Sequence, residues 1–330
     1  MSYDSSIHSG SARGRARKEN AVYIVTGVGG YVSSRVAEAL LRSEPAESII
    51  VTTRSADTAA TWRARGVDAR IADYNDSGSL RRGFEGGRSL FMISGMEAGP
   101  RRQRQHGDVV DAAAAAGVEH LVYTSFLGAD HPGASSVEVA DHQFTEQRVR
   151  ESGMRWNFMR NSQYADAMAE NQAAISIASG VSAGNTGEGR VSFVCRDDVA
   201  EVGAALLRGA GEPNTGYDVT GPEAFTYREV GEMISALSGA SIEMRDLSDD
   251  EMYALWDGLG VPRSADGDFS ASPVPWASDG MVTLGRMIRE GHCANVTDVV
   301  ERFTGRPGRS LEDLMRAAQP GWPAPGGVTA

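Results

Sequence analysis

Residues 21–34 read AVYIVTGVGGYVSS, a β-branched run that passes directly into a glycine turn and then into residues at helical spacing. Val22, Tyr23, Ile24 and Val25 form a continuous apolar run, the pattern of a strand covered on both faces. Gly27, Gly29 and Gly30 let the chain turn tightly and bring backbone N–H groups to the start of the next helix, where a phosphate is bound well. Counted from Gly27 the spacing is G-x-x-G-x-x-S, with Ser33 where a third glycine normally allows close helix–strand packing. Glycine turns are common. A strand before the turn and a helix after it give this one its dinucleotide-binding reading.

The alternation continues outward. SIIVTT (48–53) is a second strand, followed by a helix over 57–65 that ends at Gly66. VDARIA (67–72) leads a third strand, and Asp76 caps a helix through Phe84. SLFMIS (89–94) and HLVYTS (120–125) flank a helix that runs to Ala116. A further helix over 141–152 precedes the strand RWNFMR (155–160). The pattern predicts an α/β fold: a Rossmann-type doubly wound parallel sheet with a smaller mixed C-terminal region. After Asn161 the alternation loosens. Short strands are expected at 217–219 and 241–246, and helices over 197–208, 227–237, 248–257, 296–303 and 311–317. The expected layout is a disordered tail over 1–20, a dinucleotide-binding domain over 21–161, a substrate-binding region over 162–318 and a flexible tail over 319–330. Residues 262–279, rich in Ser, Pro and Asp, read as one long loop.

Composition narrows the chemistry. The 330 residues are 41% hydrophobic, enough for a sizeable core, and Lys+Arg 32 against Asp+Glu 44 leaves a net charge of −12. Such a surface repels nucleic acid and anionic membranes. With no apolar run near the ~18 residues of a spanning helix, and no apolar signal segment, a cytoplasmic location is expected. Cys195 and Cys293 fit a reducing compartment, and six histidines without metal-ligand spacing argue against a metal site. The 32 basic residues include a single lysine, Lys18, in the expected N-terminal tail. No lysine amine is therefore available for Schiff-base or acid–base work.

At the end of the second strand, Thr53-Arg54-Ser55 stands where a ribose-binding acid is normally found. An arginine there pairs with a 2′-phosphate, which favours NADP(H) while leaving NAD(H) open. Asp73-Tyr74 either flanks an adenine or forms a solvated turn.

Several motifs in order carry a more specific resemblance: TGVGGYV (26–32), VTTRS (51–55), ADYND (72–76), LFMIS (90–94), AAAAAGVEHLVYTS (112–125), ESGMRWNFMRNSQY (151–164), FVCRDDVA (193–200) and YDVTGPEAFTYREV (217–230). From residue 21 to about 317 the chain resembles the atypical short-chain dehydrogenase/reductases, in particular the NmrA-like branch with its NAD(P)H:quinone oxidoreductases. The resemblance implies cofactor contacts at Gly27, Gly29, Gly30, Tyr31, Val32, Arg54, Asp73, Tyr74, Ile93, Ser94, Gly95, Tyr123, Ser125 and Asn161. The wider superfamily's Tyr-x-x-x-Lys pair is absent, and Gln147 stands where relatives carry lysine.

Hydride transfer to a quinone tolerates that absence, because the aromatic hydroquinonate is already stabilised and water or a weak acid can protonate it. Two catalytic candidates follow. Ser125 either hydrogen-bonds a substrate oxygen or is bonded locally; His142 either donates a proton near neutral pH or is a surface histidine. Phe126, Tyr164 and Trp276 are candidates for an apolar wall against a ring system. The expected function is an NAD(P)H-dependent reduction of a quinone or polycyclic aromatic, polyketide-like substrate. Because a hydroquinone reacts with O₂, an oxygenase partner is compatible with it. A non-catalytic NAD(P) sensor, a role within the NmrA branch, is the alternative; a carbonyl or imine reductase shares the fold.

Overall fold

In the computed structural model, which describes residues 22–274 and 276–325, the alternation builds one sheet. Its strands are β1 (Tyr23–Val25), β2 (Ile49–Thr53), β3 (Asp68–Ile71), β4 (Ser89–Met92), β5 (His120–Phe126), β6 (Arg155–Asn161) and β9 (Thr215–Val219). All pair in parallel, in the order β3-β2-β1-β4-β5-β6-β9. The chain reverses its direction of winding between β1 and β4, and in such sheets ligands bind in the crevice outside that switch point. The seventh strand comes from beyond residue 161, so the sheet draws on both expected regions.

Helices α1 (Tyr31–Leu41), α2 (Ala56–Arg63), α3 (Ser77–Phe84), α4 (Pro100–Ala115) and α5 (Val137–Glu151) connect the strands. Strand alternation decides which helix packs where. Tyr23, Val25, Ile49 and Val51 face α1 and α2, while Ile24, Ile50, Leu90 and Phe158 face α3, α4 and α5. Asp76 caps α3 through the amides of Gly78 and Ser79, as expected. Helix α5 begins four residues before the expected start because Ser136 caps it, accepting from the Val139 amide.

The later chain contributes α6 (Ala165–Ala167), a π turn (Met168–Gln172), α7 (Ala173–Ser179), α8 (Arg196–Leu207), α9 (Tyr227–Ser238), α10 (Asp249–Gly258), α11 (Ser278–Arg289), α12 (Val299–Thr304) and α13 (Leu311–Ala318). Helix α8 packs beside α1 on the sheet, through Val199, Val202 and Leu206. Short pairs join β7 (Val181–Gly184) to β11 (Glu243–Asp246) and β8 (Arg190–Val191) to β10 (Phe225–Thr226).

Three features depart from the sequence reading. The broken helix over 165–179 and α11 carry their buried sides on Ala, Ser and Gly as well as large residues, so no apolar stripe announces them. Trp322 of the expected flexible tail packs on the C-terminal core and donates its indole N–H to the Ala169 carbonyl at 2.7 Å. That part of the tail is therefore anchored. The expected N-terminal tail over 1–20, and 326–330 of the other tail, lie outside the described residues.

Candidate active site

The turn between β1 and α1 meets the requirements of a pyrophosphate cradle. Gly27 has φ +67°, and a Cβ there would lie 2.8 Å from Ile93 Cγ2 at the end of β4, so only glycine fits. The Gly30 amide donates to the Gly27 carbonyl at 2.9 Å and closes the turn. No side chain caps α1, and no acid sits in its first turn. Its first amides, among them those of Tyr31 and Val32, are therefore left for an anion, which the positive end of the helix dipole favours. Gly29, Gly30 and Tyr31 are exposed. Beneath the turn the Ser33 hydroxyl is buried with no partner among the described residues, as is Asn161 Oδ1 at the end of β6. These features suit a dinucleotide lying across the ends of β1 and β4.

The strand ends are welded together. Thr26 Oγ1 lies 2.7 Å from the Tyr74 hydroxyl and accepts the Ile93 amide at 3.1 Å, while the Tyr74 hydroxyl donates to the Ile93 carbonyl at 2.9 Å. Burial pushes the Tyr74 phenol above its ordinary pKa. Its hydroxyl thus braces the cleft floor. Asp73 folds back on Asn75, accepting from that residue's amide at 2.9 Å and side chain at 3.0 Å. Arg54 is exposed at the end of β2 and makes no ion pair or side-chain hydrogen bond among the described residues; Ser55 beside it caps α2. Tyr31 donates to Asp197 at 3.0 Å and lies under the Arg196 guanidinium, joining α1 to α8.

Beyond β4, Ile93, Ser94 and Gly95 are half-buried. The Ser94 amide donates to Thr124 Oγ1 at 2.8 Å, and the Gly95 amide to His106 Nε2 at 3.0 Å. Tyr123, expected among the cofactor contacts, has no exposed surface. Its ring packs among His106, His142 and Phe158, and its hydroxyl lies 2.7 Å from His142 Nδ1. It stands behind the site, sealed from the surface.

Ser125 is bonded locally. Its hydroxyl donates to Glu146 Oε1 at 2.7 Å, and fully buried Glu146 is held by Arg160 through both oxygens at 2.9 Å and by Arg150 at 2.6 Å. With its proton committed to a carboxylate, Ser125 is not free to donate to a substrate oxygen. His142 is not a surface histidine: it is 5% exposed, with Phe126 stacked on it at 5.9 Å. Burial, reinforced by Arg102 and His106, holds its pKa well below the ordinary histidine value. The ring is neutral at pH 7, so it is no imidazolium proton donor.

The three candidate wall residues go to different places. Phe126 stacks on His142, Tyr164 packs against the core cluster to which α1 and α8 contribute, and Trp276 stands edge-on to Trp256 at 5.1 Å. Gln147, at the relatives' lysine position, is exposed and donates to Glu151. Glu146, His106 and Arg160 were not singled out from the sequence. The only local signal is that Glu146 falls one helical turn after His142, and nothing in the sequence places Arg160 against it. Among the described residues no cluster of His, Cys, Asp or Glu is arranged to hold a metal ion.

Comparison with known proteins agrees with this geometry. Residues 27–209 match the sequence profile of a family described as NAD(P)H-binding. The chain belongs to that family. It is 31% identical to quinone oxidoreductase 2 of Escherichia coli over 274 residues, 81% of this chain and 93% of that protein. A solved NADPH-dependent quinone oxidoreductase from Escherichia coli, complexed with NADPH, superposes with a TM-score of 0.80 at 26% identity, covering 90% of this chain and 99% of that one. A (4-alkanoyl-5-oxo-2,5-dihydrofuran-3-yl)methyl phosphate reductase of Streptomyces griseus is 30% identical over 290 residues, 88% of this chain and 95% of the relative. Triphenylmethane reductase from Citrobacter has a TM-score of 0.78 at 27% identity over 91% of this chain and 99% of its own. The chain is an NAD(P)H-dependent reductase of the NmrA-like quinone-oxidoreductase type.

Proposed function

We propose that the protein transfers hydride from NADPH, in preference to NADH, to a quinone or a polycyclic aromatic, polyketide-like substrate, and that its reduced product is one an oxygenase can use. The observation that carries this reading is the state of the site's own groups. No lysine occurs among the described residues, the Ser125 hydroxyl donates its hydrogen bond to Glu146, and His142 is held neutral. None of them is a strong acid or base. That suits an acceptor whose product anion is stabilised by its own aromaticity and can be protonated by water.

The bound cofactor supplies the hydride. The first turn of α1 with the glycine turn holds the pyrophosphate, Arg54 pairs with the 2′-phosphate, and the ends of β4 and β5 form the floor on which the reacting rings are positioned. Support for the substrate class comes from the relatives, named as reductases of quinones, an oxo-dihydrofuran and triphenylmethane compounds, whose unsaturation is conjugated. The test is to follow NADPH and NADH absorbance with a panel of quinones and polycyclic aromatic ketones, with and without oxygen. Turnover of quinones with NADPH preferred is expected. No oxidation of either cofactor across the panel overturns the reading.

A further inference from the structure

Behind the site lies a buried chain of hydrogen bonds from the β4–α4 loop through α4 and β5 to α5, and its donors and acceptors can be assigned one after another. The Gly95 amide can only donate, so His106 Nε2, at 3.0 Å, is the acceptor and carries no proton. Burial pushes the His106 pKa down to about 3, so the ring is neutral and its one proton is on Nδ1. That N–H faces Thr145 Oγ1 at 2.8 Å, and the Thr145 hydroxyl donates in turn to the Asp141 carbonyl at 2.9 Å. The Tyr123 hydroxyl lies 3.4 Å from the same protonated His106 Nδ1 and so finds no acceptor there. Thr145, which also neighbours that hydroxyl, already accepts from His106, and the hydroxyl's shortest contact, at 2.7 Å, is His142 Nδ1, which we assign as its acceptor. With Nδ1 accepting and the ring neutral, the proton of His142 is on Nε2. Among the described residues this atom has no hydrogen-bond partner, and His142 keeps 5% of its surface exposed. The ring lies along Phe126, where β5 ends.

We infer that the Gly95 amide fixes the tautomer of His142 through His106 and Tyr123, so that His142 presents a neutral Nε2–H to the oxygen of the substrate that gains negative charge. The inference rests on the proposed reductase function and adds to it a donor whose charge does not change during the reaction. His106 and Tyr123 are positioning residues; neither is placed to touch substrate. The arrangement acts by hydrogen bonding alone. The hydride comes from the cofactor, the proton that completes the hydroquinone from water, and His142 keeps its own proton. A neutral donor avoids burying an imidazolium, and its effect grows as the carbonyl oxygen becomes anionic.

The charged and titratable groups packed around the ring are Tyr123 from β5, His106 and Arg102 from α4, and Asp141 and Glu146 from α5 itself. Arg102 lies 3.5 Å from Asp141, and Glu146 is neutralised by Arg160 and Arg150. None is placed to draw a second proton onto His142, so kcat is expected to be level across the ordinary histidine range, about pH 5 to 8.

The experiment is nitrogen-15 NMR of histidine-labelled full-length protein, with His142 assigned by comparison with His142→Ala. The wild type should show Nε2 protonated and Nδ1 bare, with no titration between about pH 5 and 8. Tyr123→Phe removes only the hydroxyl that pins Nδ1. It should let the proton appear on both ring nitrogens and lower kcat about tenfold with the NADPH dissociation constant unchanged, less than the roughly 10²–10³ that a lost oxyanion donor costs. A wild-type ring protonated on Nδ1, or titrating in that range, overturns the inference, and this reading requires no stable Tyr123 variant. So does a folded Tyr123→Phe with unaltered tautomer and kcat. A wild type that shows the Nε2 proton but reduces no quinone supports the tautomer assignment and overturns the substrate reading alone.

Discussion

At the scale of single residues, the site is governed by which proton or charge is already committed. Ser125 and Arg54 both end strands and were both candidates, yet they differ completely. Ser125 is locked to a buried carboxylate, whereas Arg54 extends from the end of β2 with no intramolecular partner among the described residues. A side chain in the second condition keeps its donors for a ligand. Arg54→Ala should weaken NADPH binding by about 1.5–3 kcal/mol, the worth of a charge-assisted hydrogen bond, and leave NADH binding unchanged. Calorimetric titration with each cofactor checks this; equal losses for both would make Arg54 a bystander. Arg54 was legible in the sequence because the strand end is fixed by the alternation. The commitment of Ser125 was not, because Glu146 lies 21 residues away and only the packing of α5 on β5 brings them to 2.7 Å.

At the scale of elements, buried histidines connect neighbouring strands and helices, and they make stability depend on pH. His120, opening β5, hydrogen-bonds Asn157 on β6 at 2.9 Å. Burial, against the opposing hydrogen bond, pushes its pKa down to about 4. The unfolded chain has a histidine pKa near 6.5, so the unfolded state binds the proton more readily. The neutral ring's contribution is therefore complete above about pH 6.5 and is lost as the pH falls towards 4. His106 acts in the same direction, with its window extending to about 3. Denaturant titrations should show stability falling through this window by up to about 1.4 kcal/mol per pH unit for each such ring. His120→Gln, which keeps a donor for Asn157 but has no titrating group, should give a shallower slope. An identical slope would show that His120 titrates alike in both states.

For the whole molecule, the relevant fact is where the cleft's parts come from. The glycine turn, Arg54, the ends of β4 and β5, and α5 all lie within residues 27–151, and the single lysine, Lys18, falls outside the described residues. Deleting residues 1–20 should leave kcat and KM for NADPH and quinone within about twofold of wild type, since the proposed mechanism asks nothing of a lysine and its named parts begin at Gly27. A large loss of kcat with the fold intact, shown by an unchanged thermal midpoint, would place a required group in that segment. No helix among the described residues is long and apolar enough to cross a membrane.

The sequence by itself determined the parallel sheet and the cofactor turn. These depend on local patterns: two-sided apolar strands, and glycines between a strand and a helix. They survive because each follows from neighbours in the chain, and the covering of both sheet faces then leaves one way to pack them. Only the tertiary structure decided that Tyr123 lies behind the site, that the Ser125 hydroxyl is committed to Glu146, and that His142 is neutral and held by Tyr123. Those states arise from partners 19 to 21 residues apart brought into a dry interior. There, desolvation and the donor–acceptor rules of each neighbour set the charge and the tautomer. No local pattern encodes such a pairing, so chain order alone could name His142 but not assign its proton.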